Sequence, residues 1–243
     1  MSRQPAILLL QARAADDPAK AEEVHSFARH CGVEPSQIVP WDLLEGPPTM
    51  TEIRLHDALM VGGAGEYYVS KGNLPQFPRL LDRLREIVDA GFPTFASCFG
   101  FQCLVVALGG EIVHDPDNTE VGTYDVTLTE EGRSDELFGE LPRSFPAQLG
   151  RKDRAAGHWD GVAHLASSER CPIQALRIPG RPVWASQFHP ELDRETNRGR
   201  FERYLDGYAA VMSREEQVQA LESFRDSPEA NALLRRFLDL VLE

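Results

Sequence analysis

The first 110 residues repeat one pattern: a short apolar run, a turn, then a stretch with helical spacing. Ala6–Gln11, Gln37–Trp41, Asp57–Val61 and Phe92–Ala96 have the length and composition of strands. Pro18–His30, Pro75–Asp89 and Phe99–Leu108 have helical spacing. In Pro75–Asp89, Leu80, Leu81, Leu84, Ile87 and Val88 fall on one stripe, and Gly91 follows as a stop. Asp16 or Asp17 stands where Pro18–His30 needs an N-cap, and Gly32 lies just past its end. No tight hairpin signal joins the strands. Strands connected through helices run parallel, and a parallel sheet needs both faces covered. This half of the chain is therefore expected to be α/β, with a mostly parallel central sheet flanked by helices.

Beyond Gly110 the helices give way to short runs: Glu111–Val113, Tyr124–Thr129, Val162–Ala166, Gln174–Ile178 and Val183–Gln187. Asp117-Asn118, Pro179-Gly180 and Arg181-Pro182 punctuate them as turns. An antiparallel subsheet at the edge of the main sheet is expected. From Asp193 onward the chain reads as helical, over Glu195–Met212, Arg214–Asp226 and Pro228–Leu242, with Ser213 and Ser227 as N-caps. There is no internal repeat and no linker. The expected organisation is one domain over 1–191, with a helical extension over 192–243 packed on it.

A net charge of -13 excludes binding to nucleic acid or to an anionic membrane by general attraction. The apolar run Ala6–Leu10 is too short for a secretory or membrane-spanning segment, so a cytoplasmic location is expected. The four cysteines, Cys31, Cys98, Cys103 and Cys171, form no Cys-x-x-Cys pair, which argues against a zinc ribbon or a dithiol redox site.

One cysteine differs in its setting. Phe95-Ala96-Ser97-Cys98-Phe99-Gly100-Phe101-Gln102 joins a strand to a helix, with small residues two positions either side of Cys98. Such a turn exposes a nucleophile at the carboxyl end of a sheet, and the helix behind it favours a thiolate. The N–H of Phe99 then points at a developing oxyanion. A base is available in Gln187-Phe188-His189-Pro190-Glu191. In extended chain His189 and Glu191 share a side, so Glu191 can orient the imidazole and His189 can shuttle the proton. His158 and Asp160 could join His189 and Glu191 as metal ligands, but His-x-Asp and His-x-Glu spacings are a weak metal signature, and no metal or cofactor is expected.

These motifs resemble the class I (triad) glutamine amidotransferases, in particular the stand-alone, GMP-synthase-like type. The family's Gly-x-Cys-x-Gly-x-Gln reads Ala96 to Gln102 here, and its Gln-Phe-His-Pro-Glu is matched in full at Gln187–Glu191. The resemblance implies a flavodoxin-like fold and a triad of Cys98, His189 and Glu191. It implies oxyanion donors at Gly63 and Phe99, and glutamine contacts from Gln102. It also suggests that Gly157, His158, Trp159 and Asp160 line the glutamine pocket as the family's Ser-His-Gly-Asp segment does. Glu120-Val121-Gly122 and Gln174-Ala175-Leu176 resemble further family segments. The departures are Ala96 for Gly, Ala64 where the family has Pro after Gly62-Gly63, Tyr67-Tyr68 beside the pocket, and Trp159 for Gly.

The implied activity is hydrolysis of the glutamine side-chain amide through a Cys98 thioester. No Gly-x4-Gly-Lys-Ser/Thr loop is present for an ATP-dependent synthetase, so either a separate ammonia-accepting subunit exists or the enzyme is a free-standing hydrolase. Two alternatives stand beside this reading. The altered Ala64, Tyr67 and Trp159 motivate a hydrolase of γ-glutamyl conjugates. An idle binding or regulatory subunit would keep the fold but not the chemistry.

Overall fold

The computed structural model describes residues 4–209 and 212–242. The outer ends of the expected 1–191 and 192–243 units, and positions 210 and 211 of the expected Glu195–Met212 helix, lie outside the described residues.

The alternation in the first half folds as its pattern requires. Strands β1 (Ile7–Ala12), β2 (Ile38–Asp42), β3 (Ala58–Ala64) and β4 (Thr94–Ser97) pair in parallel. The helix α1 (Ala19–Cys31) joins β1 to β2, α2 (Met50–Ile53) precedes β3, α3 (Phe77–Ala90) joins β3 to β4, and α4 (Phe99–Ala107) leaves β4. Side chains alternate across the sheet as a two-residue period demands. Ile7, Leu9, Met60 and Phe95 face one core, built with Phe27 of α1. Leu8, Leu10, Leu59, Val61 and Ala96 face the other, built with α3 and α4.

The second half supplies β5 (Ile112–His114), β6 (Glu120–Leu128), the short helix α5 (Glu130–Arg133), β7 (Ser144–Arg151), β8 (Asp153–Ala155), β9 (Ala163–Ser167), β10 (Ala175–Arg177) and β11 (Val183–Ser186). Among the described residues the main sheet has nine strands in the order β2-β1-β3-β4-β11-β10-β9-β6-β7. β11 returns to lie parallel to β4, and the strands beyond it are antiparallel. β5 and β8 form a separate two-stranded ribbon.

Two expectations need correction. β7 was invisible as a strand because Pro146 and polar Ser144 and Gln148 hide its alternation; its partner β6 and the helix above it supply the pairing and burial. The expected Glu195–Met212 helix breaks at Tyr204 into α6 (Arg194–Arg203) and α7 (Leu205–Tyr208). The break turns the chain over the sheet edge. The helix α8 (Arg214–Ser223) begins where Ser213 caps it, its hydroxyl accepting from the Glu216 N–H. The helix α9 (Pro228–Leu242) lies against α1 and β7, and its Leu233, Leu234, Phe237 and Leu238 enter the first core. Phe237 is fully buried, edge-on to Phe95 and Trp184. Truncating it leaves a cavity under the sheet, so Phe237→Ala is expected to lower unfolding free energy by about 3–5 kcal/mol, measured by urea denaturation.

Candidate active site

The strand order β1-β3-β4-β11 determines which residues meet. Its first part, 2-1-3-4, reverses direction at β1/β3, and in such sheets ligands bind beyond the carboxyl ends at this reversal. Along that edge stand Arg13 after β1, Gly62-Gly63 at the end of β3, Cys98 after β4 and His189 after β11.

Cys98 has φ +49° and ψ -101°, one of two non-glycine residues with positive φ among those described. A β-carbon there is strained, and the strain is held by neighbours on both sides. The Cys98 N–H donates to the Ser186 carbonyl at 2.8 Å, and its own carbonyl accepts from the Gln102 N–H at 3.0 Å. Gly100 is required by contact: a β-carbon would lie 2.7 Å from the Val61 carbonyl oxygen. Ala96, by contrast, packs in the strand beside Val61 and Ala185 without an exposed atom. Its methyl group is accommodated.

His189 is fixed through its backbone, whose N–H donates to the Gln148 carbonyl at 2.9 Å, and through Nδ1, 2.6 Å from Glu191 Oε1. The Cys98 sulfur acts electrostatically on the same ring. With Nδ1–H on the carboxylate, Nε2 is the nitrogen left for the sulfur. Burial opposes charge on His189, but the Cys98 sulfur and the Glu191 carboxylate outweigh it and raise the imidazole to about 10. Burial likewise opposes ionisation of Glu191. His189, directly bonded, and the Arg200 guanidinium overcome this and hold the carboxyl below its ordinary range. Burial drives the thiols of Cys31, Cys103 and Cys171 upward instead.

Gly63 closes the site from the other side. A β-carbon there would sit 3.1 Å from His189 Cε1 and 3.5 Å from Arg13 Nη2. Gly62 has the same restriction against Glu23, 2.9 Å away. Gln102, from α4, donates through Nε2 to the Asp153 carbonyl at 3.1 Å and to Gln187 Oε1 at 3.0 Å. Cys98, His189, Phe99 and Gln102 all line one cleft of about 810 Å³, a volume suited to a small-molecule ligand.

The residue profile of the glutamine amidotransferase class-I family matches residues 22–203. The chain belongs to the class I glutamine amidotransferase family. It is 30% identical over 105 residues to a glutamine-hydrolyzing GMP synthase subunit of Methanocaldococcus jannaschii, a match covering 43% of this chain and 54% of that one, about half the length of the relative. It is 27% identical over 169 residues to the corresponding subunit of Archaeoglobus fulgidus, covering 70% of this chain and 81% of the relative. Its fold superposes on a glutamine amidotransferase from Thermotoga maritima with a TM-score of 0.71 at 18% identity, over 99% of this chain and all (100%) of the other.

One assignment drawn from the amidotransferase resemblance moves. The structure does not bring Gly157, His158, Trp159 or Asp160 to the cleft. His158 and Trp159 pack edge-on against His164, and Trp159 also packs against Gly110. The cleft wall is formed instead by Gly150-Arg151-Lys152-Asp153. This segment is braced from behind. Arg151 donates to Glu120 Oε2 at 2.6 Å, and Gln174 Nε2 donates to the same oxygen at 2.8 Å. Glu120 and Gln174 therefore act in the scaffold beneath the wall. Asp153 Oδ1 lies 2.9 Å from His114 Nδ1, and Oδ2 accepts from the Ser70 N–H.

Sequence reasoning missed Arg13, Asp17, Arg200 and Tyr204, which line the cleft as well. Arg13 Nη2 donates to Glu23 at 3.1 Å and Nη1 to Asp17 at 3.2 Å, and Tyr204 O–H donates to Asp17 at 2.5 Å. Arg13 carried a signal: a charged residue just past a fully apolar strand stands at the ligand edge of a parallel sheet. Arg200 and Tyr204 carried none: the packing of α6 against β7 turns Arg200 inward, and Tyr204 stands at the break after α6. Among the described residues no three His, Cys, Asp or Glu side chains gather to hold a metal ion, and no helix is long and apolar enough to cross a membrane.

Proposed function

We propose that the chain hydrolyses γ-glutamyl amides, with glutamine the simplest substrate, through a thioester on Cys98. The observation that carries this is the strained Cys98 in one cleft with a His189 that Glu191 holds at 2.6 Å. The Cys98 thiolate attacks the side-chain carbonyl, and the oxyanion is met by the N–H groups of Gly63 and Phe99. The C–N bond breaks as the His189 imidazolium gives its proton to the leaving nitrogen. His189 then takes a proton from water, which attacks the thioester to release glutamate and restore Cys98. No step requires a cofactor. Gln102 and the Gly150–Asp153 wall are placed to hold the glutamyl moiety.

The relatives are named as subunits of a glutamine-hydrolyzing synthase, which supports a separate, ammonia-accepting protein as the partner. Glutamate and ammonia release by the purified chain tests the hydrolase reading. Stoichiometric release from glutamine is expected; no release from glutamine or any γ-glutamyl amide, with Cys98 unreactive, would leave the idle-subunit reading standing. One observation also favours the γ-glutamyl conjugate reading. The α6–α7 segment walls the cleft: Lys152 Nζ donates to the Gly207 carbonyl at 2.6 Å and lies over the Tyr208 ring. The cleft of about 810 Å³ that runs along this segment has room for a leaving group larger than ammonia.

A further inference from the structure

The cleft has two ends relative to the sulfur. At one, Gln102 is tied to Asp153. At the other stand Arg13, Asp17, Arg200 and Tyr204. His189 belongs to the second end, since the imidazole and the Arg13 guanidinium meet over Gly63. His189 is the group that protonates the departing nitrogen. The leaving group therefore lies toward Arg13 and Arg200.

That end holds guanidinium groups without full partners. Arg13 is 2% exposed and Arg200 7% exposed. Both Nη atoms of Arg13 are taken by Asp17 and Glu23, but its Nε has no partner among the described residues. Arg200 is barer: neither Nε nor Nη2 has one. An arginine stays charged when buried, so these N–H groups are strong donors held out of water, on side chains that line the cleft. A planar fork of this kind is matched by a carboxylate.

We infer that Arg200, beside Arg13, forms a subsite for a carboxylate on the leaving group, so that the preferred substrates are γ-glutamyl conjugates of carboxylate-bearing amines, such as γ-glutamyl amino acids. The inference rests on the hydrolase reading above and uses the same steps. The Cys98–acyl bond forms, the amide C–N bond breaks, and the amino acid leaves as its free amine with the His189 proton. Water then cleaves the thioester.

The competing role for Arg200 is internal. Glu191 Oε2 is also buried without a partner, and the Arg200 charge acts on it. An arginine serving only Glu191 would affect every substrate alike. The test is kcat/KM of the full chain for glutamine, γ-glutamylglycine and γ-glutamylethylamide, the last matching the glycine conjugate in length but lacking the carboxylate. The wild-type protein is expected to prefer γ-glutamylglycine over the ethylamide by about 10- to 100-fold, the discrimination that a buried charge-assisted contact supports. In Arg200→Gln that preference is expected to fall to within about 3-fold of unity, with Arg200→Lys between the two, because lysine keeps the charge and loses the fork. A wild-type protein without the preference overturns the inference, and so does an Arg200→Gln variant that loses both activities by the same factor. If Arg200→Gln does not fold, the wild-type ratio and Arg200→Lys decide. Turnover of glutamine with no gain from the carboxylate removes this inference alone. Absence of turnover on all three amides, with no acylation of Cys98, removes the hydrolase reading with it.

Discussion

Cys98→Ser is expected to lower glutamine turnover by about ten-thousand-fold or more, with the fold intact. The size follows from the mechanism. Groups that act as one unit fail together, and loss of a nucleophile leaves only the catalysis of binding and the oxyanion site. The serine hydroxyl is smaller than the thiol and needs no new space, so the turn at φ +49° and the N–H bond to Ser186 are retained. A hydroxyl is a far weaker nucleophile than a cysteine sulfur at neutral pH. Circular dichroism and urea midpoint should match the wild-type protein, and ammonia release should fall to background. A serine variant with more than about a hundredth of wild-type activity would place the nucleophile elsewhere, since alternative bases and waters recover far less than that.

Glu191→Gln is the second large effect, expected at about 10³- to 10⁴-fold in kcat. The glutamine amide is almost isosteric with the carboxylate. It removes the charge that helps raise His189, and its NH₂ can present a donor to Nδ1 and favour the wrong tautomer. The pH dependence carries the sign. His189 is raised from 6.5 to about 10, so its charged form stabilises the fold fully below its unfolded value and the contribution is lost as pH rises through about 10. Glu191 is depressed from 4.5, so its contribution is present above that value and is lost as pH falls through the lowered one. The wild-type kcat/KM should therefore fall off on the alkaline side near pH 10, where His189 of the free protein can no longer give a proton. In Glu191→Gln this limb should move toward neutral pH, because a positive contribution to the imidazolium is gone. An unmoved limb would separate Glu191 from the proton shuttle.

How much of this was legible in the sequence depends on how local each cause is. The parallel half was, because buried strands and stripe-forming helices are written in runs such as Ile7 to Leu10 and Leu80 to Val88. The Cys98 turn and the His189-Pro190-Glu191 segment were legible for the same reason: each is a few adjacent residues with a steric or electrostatic requirement. That they meet was not local. It depends on β11 returning to lie parallel to β4, across intervening antiparallel strands. The wall at Gly150–Asp153 was hidden because β7 lacks apolar alternation, and a histidine seven residues past Arg151, at His158, drew the assignment away from it. Arg200 was hidden most deeply. On a polar helix it reads as a solvated charge, and only the packing of α6 against β7, through the Asn197 bond to Gln148 at 3.1 Å, turns that face inward.

Rapid-quench mass spectrometry of the chain turning over glutamine shows whether Cys98 carries the acyl group. A γ-glutamyl adduct is expected on the peptide that contains Cys98. The buried Cys31, Cys103 and Cys171, whose thiols are held protonated, should stay unmodified. An adduct on any of those three, or sustained ammonia release with no acyl group on Cys98 at any time point, would contradict a thioester on Cys98.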